Sequence, residues 1–189
     1  MRRNILLWTL IQIIVSGAVF GFTAAFAQAE VVPGSCDLYT RADAEALFNE
    51  DVSEGVMRET VSPKGNSCRY TFRKDGDVFG VTVRIATTRA ISEEGIYDSA
   101  KDVFDRQTRA RKSNEEAAKN DREIDGLGEG AFWEGSALWV LRGDVLLVIK
   151  VNSVLEGSFD SREALDAAQE DQDLALSLDV AGTVLPRLQ

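Results

Sequence analysis

The side chains able to do chemistry are first of all a short list. No histidine occurs in the 189 residues, which removes the usual general base near neutral pH and the commonest metal ligand. The only thiols are Cys36 and Cys68; an even count in a chain addressed for export reads as a bridge, so neither is expected as a nucleophile. A Ser-His or Cys-His nucleophile cannot be assembled. Paired carboxylates remain, with Glu129 and Glu134 beside the aromatic Phe132 and Trp133, and a glycosidase-like reaction would need such a pair across a cleft. With 31 acids in the chain, neighbouring carboxylates are expected from composition alone. No catalytic residue, metal or cofactor is therefore expected.

Three further patterns read as local structure. Gly126-Leu127-Gly128-Glu129-Gly130 has the glycines of a phosphate loop but no Lys-Ser/Thr ending, and it leads into a strand, so it is a glycine turn. Arg142-Gly143-Asp144 is explained by hairpin geometry. Asp166, Glu170, Asp171 and Asp173 lack the loop glycine and spacing of a calcium site and suit a solvated helix face. Two groups are left as candidate binding residues: the arginines Arg69, Arg73 and Arg84, and the tryptophans Trp133 and Trp139. Guanidinium forks match carboxylate or phosphate. Tryptophans can line a ligand pocket, although in a central meander they more often belong to the core.

The elements that position these residues follow from periodicity. Thr40 with Asp43 three residues on is a capping-box variant, opening a short helix to about Phe48. Residues 49–66, with Gly55, Pro63 and Gly65, read as loop or a poorly formed edge strand. From Cys68 the period is two: Cys68, Tyr70 and Phe72 alternate with Arg69, Thr71 and Arg73. A turn at Lys74-Asp75-Gly76-Asp77 leads to a second strand with Phe79, Val81, Val83 and Ile85 on one face. Pairing 73 with 78 sets Phe72 opposite Phe79 and Arg69 opposite Thr82, and places Arg69 diagonal to Arg84. Ser92-Glu93-Glu94 is expected to open a second helix through Ile96, Ala100, Val103, Phe104 and Gln107. Residues 109–121 then read as a solvated helical extension or a linker without core contacts. A three-strand meander follows at about Gly130–Glu134, Ala137–Arg142 and Val145–Val151, with Trp133, Leu138 and Ile149 on one face and Phe132, Trp139 and Val148 on the other. A final helix, capped by Asp160 or Ser161, carries Leu174, Leu178, Ala181 and Leu185 and ends at Pro186. The expected fold is α+β: a single-domain α-ββ-α-βββ-α sandwich around an antiparallel sheet, with one disulfide.

Arg2-Arg3, an apolar run from Ile5 to Phe26 and Ala27-Gln28-Ala29 have the order of a signal peptide, with cleavage expected between Ala29 and Glu30; an uncleaved anchor is the alternative. Removing residues 1–29 takes away two cations and no acid, leaving 19 Lys and Arg against 31 Asp and Glu, a net charge of −12. Such a domain repels nucleic acid and anionic lipid. Periplasmic or secreted location follows, with the membrane reached only through an uncleaved signal.

Cys36-Asp37-Leu38-Tyr39-Thr40, Cys68-Arg69-Tyr70, Gly126-Leu127-Gly128-Glu129-Gly130-Ala131-Phe132-Trp133 and Leu138-Trp139-Val140-Leu141-Arg142-Gly143-Asp144, in that order, resemble exported domains of actinobacterial lipoproteins. Related domains serve as extracellular sensors of mycobacterial receptor kinases. The resemblance implies a compact α/β sandwich like that of the photosystem II oxygen-evolving accessory protein. The chain has neither a lipobox nor a kinase, so tether and signalling are not implied. The expected role is a non-catalytic extracytoplasmic binding or adaptor module for a small ligand or envelope protein. A structural accessory subunit of a larger assembly is the second reading, and a minor hydrolase the third.

Overall fold

Alternation and turn chemistry build one antiparallel sheet. The computed structural model describes residues 34–115 and 121–188; the signal segment and its Ala29–Glu30 cleavage site lie outside them. Among the described residues the strands are β1 Val56–Thr60, β2 Gly65–Lys74, β3 Asp77–Thr87, β4 Asp121–Glu123, β5 Gly130–Glu134, β6 Leu138–Arg142 and β7 Val145–Asn152. Their spatial order is β1-β2-β3-β7-β6-β5-β4. The β2–β3 turn places Asp75 and Gly76 at φ 52° and 92°, the left-handed pair that a tight hairpin with the sheet's own twist requires. Its register is the expected one, with Phe72 opposite Phe79, Tyr70 opposite Val81, Cys68 opposite Val83 and Arg69 opposite Thr82.

Period-two alternation gives the sheet two different faces. The first presents Tyr70, Val83, Leu147, Ile149, Leu138 and Trp133, buried beneath helices α1 Ser35–Leu38, α2 Arg41–Phe48 and α5 Arg162–Val184. From α5 come Leu174, Val180, Ala181 and Val184, each worth about 1.5–3 kcal/mol of burial for the larger side chains. The second face is covered only at one end. There Ala86, Leu141, Leu146 and Val148 meet Ile91, Ala100 and Val103 of helices α3 Thr88–Glu94 and α4 Ala100–Lys112.

Cys36 of α1 and Cys68 of β2 form the expected disulfide, with Cα atoms 5.0 Å apart. The Thr40 capping box is present: Asp43 N–H donates to Thr40 Oγ1 and Asp43 Oδ2 accepts from Thr40 N–H at 2.8 Å. Ser161 caps α5. Leu174, Ala181 and Leu185 are buried as expected, whereas Leu178 is only partly so, and Pro186 lies in a short 3-10 turn after Val184.

Several expectations are corrected. Of the two readings of residues 49–66 the edge strand holds, as β1, whereas β4 is an unexpected strand added to the meander at the other sheet edge. Ser92 does not cap the second helix. Thr87 caps α3, and Gly95 ends it in a left-handed conformation at φ 79°. Ser99 then opens α4, leaving Ile96 in the break and 56% exposed. Residues beyond Gln107 do touch the core, because α4 runs to Lys112 and Arg111 sits 6.0 Å from the Phe132 ring centre.

Candidate functional site

The uncovered end of the second face is built by β1, β2, β3 and β7. Cross-strand rows can be followed over it: Val56, Arg69, Thr82 and Lys150 form one, and Arg58, Ser67, Arg84 and Val148 the next. Thr71 with Gly80 and Asn152, and Arg73 with Val78, continue the same face. Directly opposite residues share a face, so the cations Arg58, Arg69, Arg73, Arg84 and Lys150 project to one side of these four strands, where no acidic residue alternates with them. The acids of this face, Asp121, Glu123 and Glu134, are at the far end on β4 and β5.

Arg58 and Arg69, with Ser67, Thr71, Thr82, Val56 and Val78, line an open depression of about 430 Å³. Both arginines and Arg73 are exposed, and among the described residues their guanidinium groups make no ion pair or hydrogen bond. Elsewhere the plentiful acids are used. Arg41 pairs with Glu45, Asp51 and Glu54, Arg122 with Glu170 and Asp171, and Arg187 with Asp43.

Arg84 lies on the expected face but does not converge with Arg69. Its Nη2 donates to the Pro63 carbonyl, its Nε is buried without a partner, and burial pulls its pKa down against the opposing pull of Glu94. Arg84 thus pins the β1–β2 connection and closes one side of the open face. Arg58 and Lys150 escaped sequence reading. Arg58 sits on the stretch read as loop or a poorly formed edge strand, for which no register was drawn, while Lys150 could have been found by continuing the register from Thr82 into β7.

The two tryptophans part company. Trp133 is wholly buried, and its Nε1 donates to Glu170 at 3.0 Å, the same carboxylate that accepts from Arg122. It ties β5 to α5 and is not available to a ligand. Trp139 is partly exposed and stacks on Phe132 at 5.8 Å and 8° between planes, and the tilted Phe104 ring lies 5.2 Å from Phe132. Its indole N–H is buried without a hydrogen bond of ordinary geometry, although its dipole reaches the Glu134 carboxylate.

The acids considered for chemistry are divided among structural tasks. Burial pushes the Glu134 carboxyl up, opposed chiefly by Arg111, which also bonds Asp121 at 3.1 Å. Glu129 Oε1 instead accepts the Gly143 N–H at 2.8 Å, closing the β6–β7 turn that Arg142-Gly143-Asp144 forms. Asp166 pairs with Arg162, and Asp173 accepts from Ser153 and Gln169. Among the described residues no group of three acids or cysteines is placed to hold a metal, and no helix is long and apolar enough to cross a membrane.

No protein-family model, curated protein or solved structure matches the chain.

Proposed function

We propose that this domain is a non-catalytic extracytoplasmic binding or adaptor module, and that it takes an acidic ligand or envelope-protein partner on the open arginine face of β1–β3. The observation that carries this reading is the segregation of charge. In a chain of net charge −10, Arg58, Arg69 and Arg73 have no ion partner among the described residues and share one sheet face, while most of the other described arginines, Arg41, Arg122 and Arg187 among them, are paired. Cations free of internal partners cost little to engage, and planar forks on a rigid sheet are organised in advance for carboxylates. The disulfide suits an oxidising compartment. The resemblance to exported sensor and lipoprotein domains accords with a binding role.

The test is the joint replacement of Arg58, Arg69 and Arg73 by Gln, with circular dichroism to verify the fold. Binding of a dye-labelled oligoglutamate peptide is then followed by fluorescence anisotropy. Losing three exposed charge contacts of this kind is expected to weaken binding about tenfold. Wild-type binding should also fall between about 0.1 M and about 0.5 M salt, as screening shortens the range of the attraction. Equal affinity of the wild type and the triple variant would remove the arginine face from consideration.

A further inference from the structure

The two edges of the sheet are finished differently. β4 is a three-residue edge, Asp121-Arg122-Glu123, whose Arg122 is bonded to Glu170 and Asp171 of α5. Short, charged and tethered edges are the usual protection against pairing with another chain. β1 has five residues and, among the described residues, pairs only with β2. Its outer row of backbone N–H and C=O groups therefore faces away from the sheet. Large exposed apolar side chains gather here too: Val56 is 49%, Met57 53% and Val61 81% exposed, with Val78 nearby on the open face.

We infer that the β1 edge is a strand-addition site, at which an extended polypeptide with acidic and apolar residues in alternation continues the sheet beyond Val56–Thr60 and sets its acids against Arg58 and Arg69. This rests on the proposed function and names the partner's chemistry and mode of attachment. An added strand places alternate side chains on opposite faces. On the arginine face its residues stand beside Val56 and Arg58, two positions apart, with Arg69 one strand further in and directly opposite Val56. Acids at those positions meet unpaired guanidinium groups. On the other face the added residues meet Met57, where apolar side chains cover exposed surface.

Charge decides among occupants. A second copy pairing antiparallel through β1 would bring two Arg58 side chains to one small area, a like-charge contact that disfavours self-association. A membrane or a nucleic-acid duplex is large enough to feel the net negative charge of the whole domain, whereas a single extended segment lies within about 8–10 Å of the arginines, the screening distance at physiological salt.

The experiment compares two seven-residue peptides of one composition, four Glu and three Val, either strictly alternating or with the Glu and Val residues in separate blocks. Each carries a dye and is titrated with the wild-type protein and with the Arg58→Gln, Arg69→Gln double variant. Hydrogen–deuterium exchange is followed over 56–60 in parallel. Strand addition requires the alternating peptide to bind about tenfold more tightly than its isomer, a difference of ~1.4 kcal/mol. It also requires β1 amides to gain protection in wild type, with both effects reduced in the double variant. Equal binding of the isomers without protection of 56–60 would overturn strand addition yet leave the arginine face standing, provided the double variant still binds both peptides less well. If the wild type holds neither peptide, both readings fall. Protection, in the free protein, of those β1 amides that point away from β2 would show that the edge is occupied and overturn the inference; the alternate amides that donate to β2 are protected in either case.

Discussion

Asp43 joins three parts of the chain through one carboxylate. It accepts from the Thr40 backbone N–H and hydroxyl at the start of α2, both at 2.8 Å. It also takes the Arg187 fork at 2.6 and 3.0 Å, and Arg187 donates in addition to the Leu38 carbonyl at 2.8 Å. The Arg187 guanidinium, helped by the Thr40 donors and opposed by burial, holds the Asp43 carboxyl down at about 2 against an ordinary 3.8. A depressed carboxyl stabilises the fold fully above its unfolded value. Its contribution is thus complete above about pH 4 and lost as pH falls through about 2. Asp43→Asn keeps an oxygen for the cap but removes the charge, and should cost about 1–2 kcal/mol at neutral pH, allowing for the partly solvated bridge. Urea unfolding at pH 7 and near pH 2 checks this: the gap between wild type and variant should shrink in acid, and a constant gap would contradict it. The local half of this arrangement was legible, since Thr40 and Asp43 are three residues apart. Arg187 was not, because 144 positions separate it from Asp43 and no local pattern spans that distance.

At the scale of elements, alternation was readable wherever one face is buried and the other is not. That is why the β2–β3 register followed from Cys68, Tyr70 and Phe72, whereas the meander, buried on both faces, was readable from its tight turns at Gly135-Ser136 and Gly143-Asp144, which fix the pairing of Phe132, Trp139 and Val148. β1 carries no such signal: four of its five residues are exposed, so Val56-Met57-Arg58-Glu59-Thr60 has no inward side for a pattern to mark. β4 is too short for one. The same distinction governs how the first-face cover is held. α1 has four residues, far below the length at which a helix persists alone. Its attachments include the disulfide to β2 and the Ser35 N–H bond to Asn66 at 2.8 Å. Closing a separation of 32 residues should be worth about 3–4 kcal/mol in the chain-entropy account. Reduction should therefore lower the urea midpoint by a corresponding amount, and an unchanged midpoint in reductant would show that α1 adds little to the stability of β2.

The net charge of the molecule opposes the acidic ligand proposed for its open face, and the conflict has a measurable consequence. The chain bears a net charge of −10, or −12 after the expected removal of residues 1–29, while Arg58, Arg69, Arg73 and Lys150 stand together on the open sheet face. An acidic segment approaching that face feels two fields of different reach. At about 0.01 M salt the screening length is about 30 Å, comparable to the width of a domain of this size, so the acids on its remaining surface repel the segment along with the local attraction. Near 0.1 M the screening length falls to about 10 Å; distant acids are then largely silenced, whereas guanidinium groups in contact with carboxylates are not. Towards 1 M it is about 3 Å, and exposed contact pairs weaken as well. Association with an acidic peptide should therefore pass through a maximum near 0.1 M rather than fall steadily from low salt. A monotonic decline from 0.01 M would mean that the arginine patch dominates at all distances. Binding of a neutral Gln-for-Glu peptide should show no such maximum, which separates the electrostatic effect from any influence of salt on the fold. The measurement is an anisotropy titration at several salt concentrations with both peptides. Its outcome tells whether the −10 charge acts as a filter, disfavouring extended polyanions while admitting a short acidic segment to the open face.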